Sequence, residues 1–189
     1  MSRKIAVLVG SLRSDSLSRK VARAIAANAP AGVEFFYPEI GDLPLFNQDL
    51  EGAPPPAWMR FREEIKSADA VLWVTPEFNR SVPGALKNAL DVGSRPYGQS
   101  VFNGKPAAVV SISMGGVGGF GANHHLRQSL AFLNMPTLPN EAYIGAAHTL
   151  FDASGALTND DTRKFLAAFA GDFDRWISTH AAASAAKAA

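Results

Sequence analysis

No cysteine occurs among the 189 residues, which excludes disulfide bonds, thiolate metal ligands and cysteine nucleophiles. A long uncharged apolar run is also absent, so we expect no membrane-spanning segment. The apolar run at residues 5–9 is too short for the core of a signal peptide, and we predict a cytoplasmic protein. The net charge is only +1, and no basic stripe interleaved with aromatic residues is present. Nucleic acid is therefore not the expected partner.

What the chain does contain is enough apolar material for a sizeable core, since hydrophobic residues make up 47% of it. We predict a single domain over residues 1–180 and an alanine-rich tail over residues 181–189. Apolar runs alternate with segments of helical periodicity along the chain, and a capping sequence at 158–161 is expected to open the last helix. The predicted strands are residues 4–9, 33–37, 70–74, 106–112 and a short fifth, 137–138 continued near 143–144.

Strands that alternate with helices in this way predict an α/β protein, an open parallel sheet with helices on both faces. Right-handed crossovers leave few possible strand orders. In the order 2-1-3-4-5, strands one, three and four are neighbours. The loops that follow them then meet at one crevice beyond the carboxyl ends of the strands, where such sheets bind ligands. These loops are residues 10–19, 75–81 and 113–119.

The loop after strand one, GSLRSDSLSR at residues 10–19, has the composition of a phosphate site. Serine hydroxyls donate hydrogen bonds, and Arg13 carries a permanent charge. The helix that follows directs its N-terminal N–H groups to the same place. Arg19 and Lys20 lie at the end of the helix that disfavours cations, which an anion nearby would explain. The alternative is an ordinary strand-to-helix loop with a serine cap.

Two common phosphate motifs are missing from this loop. It lacks the second glycine and the lysine of a P-loop, and it lacks the Gly-x-Gly-x-x-Gly of a dinucleotide site. Hydroxyls with one arginine suit a monophosphate better than a pyrophosphate, so we expect a mononucleotide with a large planar head. The head would lie against residues 76–79 and the glycine loop, where the N–H groups of Gly115 and Gly116 are accessible.

Several segments, taken together and in order, carry a resemblance to a known family. They are residues 10–19, 41–49 (GDLPLFNQD), 75–91 (TPEFNRSVPGALKNALD), 94–96 (SRP), and 118–119 leading to 125–128 (HLRQ). This chain resembles the NAD(P)H-dependent FMN reductase family, which includes bacterial chromate and quinone reductases. The resemblance implies a flavodoxin-like fold, a three-layer sandwich around the five-stranded parallel sheet in the order 2-1-3-4-5.

The resemblance also implies the residues that bind FMN. Those expected at the phosphate are Ser11, Arg13, Ser16 and Ser18; those at the ring and ribityl chain are Pro76, Glu77, Phe78 and Asn79, with Ser113, Gly115 and Gly116 at the far edge of the ring. The chain departs from the family pattern at two of these positions. Ser18 replaces a frequent asparagine and keeps a donor of shorter reach. Phe78 replaces a frequent tyrosine, so no role of that hydroxyl can be transferred.

The activity implied is hydride transfer from NADPH or NADH through bound FMN to a second acceptor, by a ping-pong mechanism. Free FMN, a quinone or a chromate-like oxidant would serve as acceptor. The flavin supplies the chemistry, so no catalytic side chain is expected. Arg80 and Arg95 are either contacts for the nicotinamide nucleotide's phosphates or solubilising surface residues. Two other functions stay open: a flavodoxin-like electron carrier, and a phosphosugar or nucleotide binder without flavin.

We also expect self-association. Arg127 and Gln128 match a segment that lies near the oligomer interface in the family, which implies a homodimer or homotetramer in which a neighbouring chain helps close the flavin pocket. His124 and His125 are adjacent on a helix and therefore point about 100° apart. We interpret them as surface or subunit contacts and predict no metal site.

Overall fold

The computed structural model describes the backbone of residues 2–188 and the side chains of residues 2–181. From residue 182 onward, the predicted alanine-rich tail lies outside the residues with described side chains. The strands are β1 (Arg3–Val9), β2 (Val33–Phe36), β3 (Ala70–Pro76), β4 (Ala107–Ile112) and β5 (Ala142–Ile144). The helices are α1 (Leu17–Ala27), α2 (Pro56–Lys66), α3 (Gly84–Gly93), α4 (Phe120–Phe132) and α5 (Asp160–Ala188). None of the described helices combines the length and apolarity needed to cross a bilayer.

The strands form one parallel sheet in the order β2-β1-β3-β4-β5, which confirms the predicted flavodoxin-like fold. The central strand β3 is paired on both sides, with Leu72 opposite Val7 of β1 and Ala108 of β4. Central strands of a parallel sheet are covered on both faces, so their side chains are apolar without alternation. The run 70–74, AVLWV, is buried throughout for this reason.

Two apolar clusters, one on each face of the sheet, make the three layers. Helices α1 and α5 cover one face, where Phe169 and Phe173 of α5 pack against the sheet. Helices α2, α3 and α4 cover the other, around the fully buried Trp58, Trp73 and Phe102. The apolar stripe of the last helix is thus part of the core.

Helix α3 lies unusually close to the second cluster. A Cβ atom on Gly93 would lie 2.4 Å from the ring of Phe102, so only glycine fits there. The Phe102 ring has no room to move because it packs against Trp73 and Phe61, with centroids 5.4 and 6.5 Å away. Near the middle of the same helix, buried Asn88 accepts a hydrogen bond from Phe46 N at 2.8 Å and fixes the loop before α2.

The first four strands begin and end within two residues of the predicted positions, and two differences nearer the carboxyl end of the chain have an identifiable cause. Of the predicted fifth strand, Thr137 forms only an isolated bridge with Ala107, and the regular pairing begins after Pro139, at β5. The cap of α5 is Asn159, whose side chain accepts from Thr162 N at 2.8 Å, and not the predicted Thr158. The Thr158 hydroxyl points back to the preceding loop, where it donates to Leu150 O at 3.1 Å.

At the amino end of the sheet, the start of β1 is fastened to α5. Arg3 forms an ion pair with Asp174 and donates a hydrogen bond to the Ser178 hydroxyl at 2.8 Å. The first strand and the last helix therefore meet at the end of the sheet opposite the loops of the predicted site.

Candidate functional site

A pocket of about 320 Å³ lies at the carboxyl ends of β1, β3 and β4. Each of the three predicted loops supplies part of its wall. The lining residues are Ser11, Arg13, Ser16, Leu17, Ser18, Pro76, Glu77, Phe78, Ile112, Ser113 and Met114.

The loop after β1 forms the first wall and leads into α1. Ser16 caps the helix, with its hydroxyl oxygen accepting from Arg19 N at 3.2 Å. Lys20 is paired with Asp15 at 2.5 Å, and the hydrogen bond from Lys20 holds the pKa of the Asp15 carboxyl below its usual value. Because Lys20 already has an anionic partner, its position is no evidence for a bound anion, contrary to the argument from sequence.

Other polar groups of this wall have no partner among the described residues. The Ser11 and Ser18 hydroxyls, the Arg13 guanidinium and the backbone N–H groups of Leu17 and Ser18 make no hydrogen bond within that part of the chain. Ser11 and Ser18 are nevertheless buried, with 7% and 2% of their surface exposed. Their hydroxyls are open to the pocket, where a ligand can accept hydrogen bonds from them. A cluster of free donors at a helix N-terminus therefore fits a phosphate group.

The second wall follows β3 and ends in a tight turn. Phe78 N donates to Ser81 O and Ser81 N donates to Phe78 O, both at 2.9 Å. Between them, Asn79 and Arg80 have left-handed backbones, with φ of 50° and 64°. The sequence Phe78–Ser81 is thus a two-residue hairpin turn of the type usually made by Asn-Gly. Phe78 is 53% exposed and presents a flat apolar surface at the pocket.

Glu77 ties this turn to α4. One carboxylate oxygen accepts from Ala122 N, in the first turn of α4, at 3.2 Å. The other faces Arg80 Nη1 at 3.3 Å. A carboxylate at a helix N-terminus also complements the helix dipole. Glu77 lines the pocket and positions the turn at the same time.

Two further contacts hold the same turn against α4. The Ser81 hydroxyl is 3.0 Å from His125 Nδ1. A Cβ atom on Gly121 would lie 2.7 Å from Arg80 O, so the backbone of the turn rests directly on the helix. The turn is therefore fixed at both of its ends.

The third wall, after β4, is held by its own backbone and by the segment after β5. The Ser113 hydroxyl donates to Gly115 O at 2.7 Å, and Ala146 N donates to the same oxygen at 3.1 Å. A Cβ atom on Gly145 would lie 2.5 Å from Gly116 O. These contacts fix the course of this loop, of which Ser113 and Met114 line the pocket.

The predicted site residues thus divide into two groups. Asn79, Gly115 and Gly116 are not among the residues that line the pocket. Leu17, Ile112 and Met114 line it and were missed, although each is adjacent in sequence to a predicted residue or segment. The predicted residues that the structure brings together are Ser11, Arg13, Ser16, Ser18, Pro76, Glu77, Phe78 and Ser113.

Arg95 lies outside this lining and has a partner of its own. Its Nε and Nη2 atoms donate to the two carboxylate oxygens of Glu51 at 2.7 and 3.1 Å. The hydrogen bond from Arg95 lowers the pKa of Glu51 below its usual value. The guanidinium also lies over the Phe46 ring, 5.7 Å from its centroid. Within this chain, Arg95 fastens the loop before α2.

Comparison with known proteins gives consistent matches. The family model for NADPH-dependent FMN reductase matches residues 3–149. A quinone reductase of Pseudomonas putida is 63% identical over 175 residues, which are 92% of this chain and 94% of that protein. A 2-hydroxy-1,4-benzoquinone reductase of a Burkholderia species is 44% identical over 178 residues, 94% of this chain and 97% of the other.

A solved structure also matches over nearly its whole length. FerB, a flavoenzyme NAD(P)H:(acceptor) oxidoreductase from Paracoccus denitrificans, superposes with a TM-score of 0.87 at 41% identity. The match covers 94% of this chain and 98% of FerB.

Proposed function

Because the chain belongs to the NADPH-dependent FMN reductase family, we propose that its 320 Å³ pocket binds FMN and that its electron acceptor is a quinone. The chain is an NAD(P)H-dependent oxidoreductase, with FMN as cofactor and NAD(P)H as co-substrate. One observation supports this assignment most strongly. The loop after β1 holds a cluster of hydrogen-bond donors that have no partner among the described residues, and the half-exposed ring of Phe78 lies in the same pocket.

The phosphate of FMN would be held by the loop after β1. Arg13 supplies a charged donor, and Ser11 and Ser18 supply hydroxyls whose hydrogen bonds are otherwise unused. Ser16 has a different part, because its hydroxyl oxygen caps α1 and so fixes the N–H groups that face the anion. Donors that are already in place bind an anion with little loss of side-chain freedom.

The ring would lie between the second and third walls. Phe78 and Met114 offer apolar contact on this side of the pocket, and Pro76 stiffens the exit from β3. Asn79, Gly115 and Gly116, which lie outside the lining, would contribute through their backbone positions. The bound flavin would supply the acceptance and release of hydride, for which no protein acid or base is needed. The residues of the pocket would orient the reactants.

NAD(P)H and the second acceptor would use the same open side of the pocket in turn, which is a ping-pong mechanism. The half-exposed Phe78 and Met114 leave that side accessible to planar molecules. Quinones fit this description, and free FMN and chromate-like oxidants are further acceptors to test.

The absorption spectrum of the purified protein tests the assignment. We expect FMN to bind in a ratio of one per chain, the flavin absorbance to bleach on anaerobic addition of NADPH, and a benzoquinone to restore it. Initial rates at several NADPH concentrations should give parallel double-reciprocal plots against quinone. A colourless protein that binds no added FMN would contradict the proposal, as would bound FMN that NAD(P)H does not reduce.

We further propose that a second copy of the chain covers the groove between α3 and α4. The groove has a volume of about 730 Å³ and includes Val82, Leu90 and Leu133 among its lining residues. Phe132 at its side is 88% exposed. Burial of such a large aromatic surface stabilises association. The groove reaches Ser81, so a second copy seated there would lie next to the mouth of the pocket.

Measuring the oligomeric state in solution tests the proposal that a second copy covers this groove. We expect a homodimer or homotetramer in sedimentation velocity, and a Phe132→Ser variant that shifts toward monomer with lower activity. Full activity of a monomer would contradict it. Arg127, which the family resemblance places near the interface, donates to Leu138 O and Asn140 O within its own chain, both at 2.9 Å, so we propose Phe132 and not Arg127 as the residue to substitute.

A further inference from the structure

We propose that Arg80 binds a phosphate group of the nicotinamide nucleotide. The inference rests on the proposed function and extends it to a residue outside the pocket lining. Arg80 lies two residues beyond Phe78, which lines the pocket, at the tip of the turn that follows β3.

The backbone at Arg80 is costly for an arginine. Its φ of 64° follows a φ of 50° at Asn79, so two consecutive residues with side chains occupy the left-handed region. Asparagine tolerates that region, but the second position of such a turn is usually glycine. Strain of this kind persists where the surrounding structure enforces it, and it concentrates at functional sites. A side chain at this position therefore has a use that glycine would lack.

The surrounding structure does enforce the turn. The carbonyl of Arg80 rests on Gly121, where any Cβ atom would lie 2.7 Å from it. Glu77 and Ser81, on either side, contact Ala122 N and His125 of α4. The position of the Arg80 backbone relative to the pocket is thereby fixed, and only its side chain is free to move.

The side chain itself is available to a ligand. It is 80% exposed, and its one ion pair among the described residues is with Glu77 at 3.3 Å. The Glu77 oxygen that is not in this pair is already bound to Ala122 N. The guanidinium is always charged and matches the geometry of a phosphate, which it binds through paired hydrogen bonds. A phosphate of NAD(P)H, whose reactive ring must enter the pocket beside Phe78, is the anion that the proposed reaction brings to this turn.

The test compares Arg80→Gly and Arg80→Lys with the wild-type holoenzyme, using NADPH, NADH and a soluble benzoquinone as substrates. Because glycine suits the left-handed backbone, Arg80→Gly should melt no lower than wild type and bind FMN equally well. We expect its KM for NADPH to rise about ten-fold, as for loss of a charged hydrogen bond, with kcat nearly unchanged. Arg80→Lys should recover part of the loss. If KM rises for NADPH alone, the group that Arg80 binds is the 2′-phosphate. If KM rises equally for NADH, that group is the pyrophosphate.

Arg175→Gln is the matched control. It removes an exposed arginine, also ion-paired three residues away, from α5 near the opposite end of the sheet, and it should change no kinetic constant. The proposal is overturned if Arg80→Gly leaves KM unchanged for both nucleotides, lowers kcat alone, or raises the KM of the quinone to the same extent. Calorimetry of NADPH binding to the FMN-loaded protein gives a second readout. A wild-type protein that bound NADPH through Arg80 without oxidising it would contradict the proposed function and leave this inference standing.

Discussion

Replacing Arg13 by alanine removes a guanidinium that lines the pocket but makes no hydrogen bond or ion pair with any described residue. The folded apoprotein therefore loses almost nothing. If Arg13 binds the phosphate of FMN, the holoprotein loses a charge-assisted hydrogen bond. The substitution thus separates a role in ligand binding from a role in folding.

The size of the effect follows from two relations. A hydrogen bond to a charged group contributes about 1.5–3 kcal/mol, and each 1.4 kcal/mol changes Kd about ten-fold, so FMN should bind about 10- to 100-fold more weakly. At a free FMN concentration of about 100 times the wild-type Kd, the ligand stabilises the protein by about 2.7 kcal/mol. A variant that binds FMN about 30-fold more weakly would be stabilised by only about 0.9 kcal/mol at the same FMN concentration. The Tm of the holoprotein should then fall by about 4–7 °C.

The assay is fluorescence titration of the apoprotein with FMN, paired with thermal melts with and without the ligand. Arg23→Ala serves as control, because Arg23 is an exposed arginine of α1 outside the pocket lining. It changes the net charge equally and should leave Kd within about two-fold, since exposed charges are largely screened at 0.15 M salt.

Two results would refute the reasoning. An unchanged Kd for Arg13→Ala would remove the phosphate from the loop after β1. Equal weakening by Arg13→Ala and Arg23→Ala would mean that FMN responds to the general charge of α1 and not to a specific contact.

Three further substitutions at glycines test the packing and the position of the turn after β3. Gly93→Ala should lower the free energy of unfolding in urea by about 1–3 kcal/mol, because the new Cβ meets the Phe102 ring at 2.4 Å. Gly84→Ala, with no atom within 4 Å, should raise it by about 0.4–1 kcal/mol, and a similar loss at both positions would contradict the account. Gly121→Ala should push the Arg80 carbonyl off α4 and raise the KM for NADPH, while far-ultraviolet circular dichroism stays unchanged; an unchanged KM would show that the position of the turn is unimportant.

Most of the sheet could be predicted because its strands are contiguous apolar runs, and their loops follow from the parallel order. The fifth strand shows the limit. Thr137 and Ala142 both pair with β4, but Pro139 interrupts the ladder between them, and only the second pairing extends into a strand. Which of these two pairings extends into a strand depends on the contacts with β4 and not on local composition.

The clustering of polar groups after β1 could also be predicted, since these groups are adjacent in sequence and converge wherever a helix follows a strand. The other two walls of the pocket were harder to predict. The course of the loop that brings Met114 to the pocket is fixed by a hydrogen bond from Ser113 to Gly115 O and by the close approach of Gly145 to Gly116. A single sequence contains no record of these contacts.

Contacts between distant segments were beyond prediction for the same reason. Arg95 and Glu51 are 44 residues apart, and their pairing depends on how the loop before α2 lies along the helix layer. Asn88 holds that loop through Phe46, 42 residues away. Arg95 looked like a free cation in the sequence because its partner is close only in the folded chain.

The junction of Arg3 with Asp174 and Ser178 has a practical consequence for attaching this protein to a surface. The first strand begins at this end of the sheet and the last helix passes it, while the pocket opens at the other. A linker joined ahead of β1 would orient the molecule with its pocket outward. On an electrode or a resin, each immobilised copy would then face the solution with its pocket, and diffusion of small molecules to the pocket would be unobstructed.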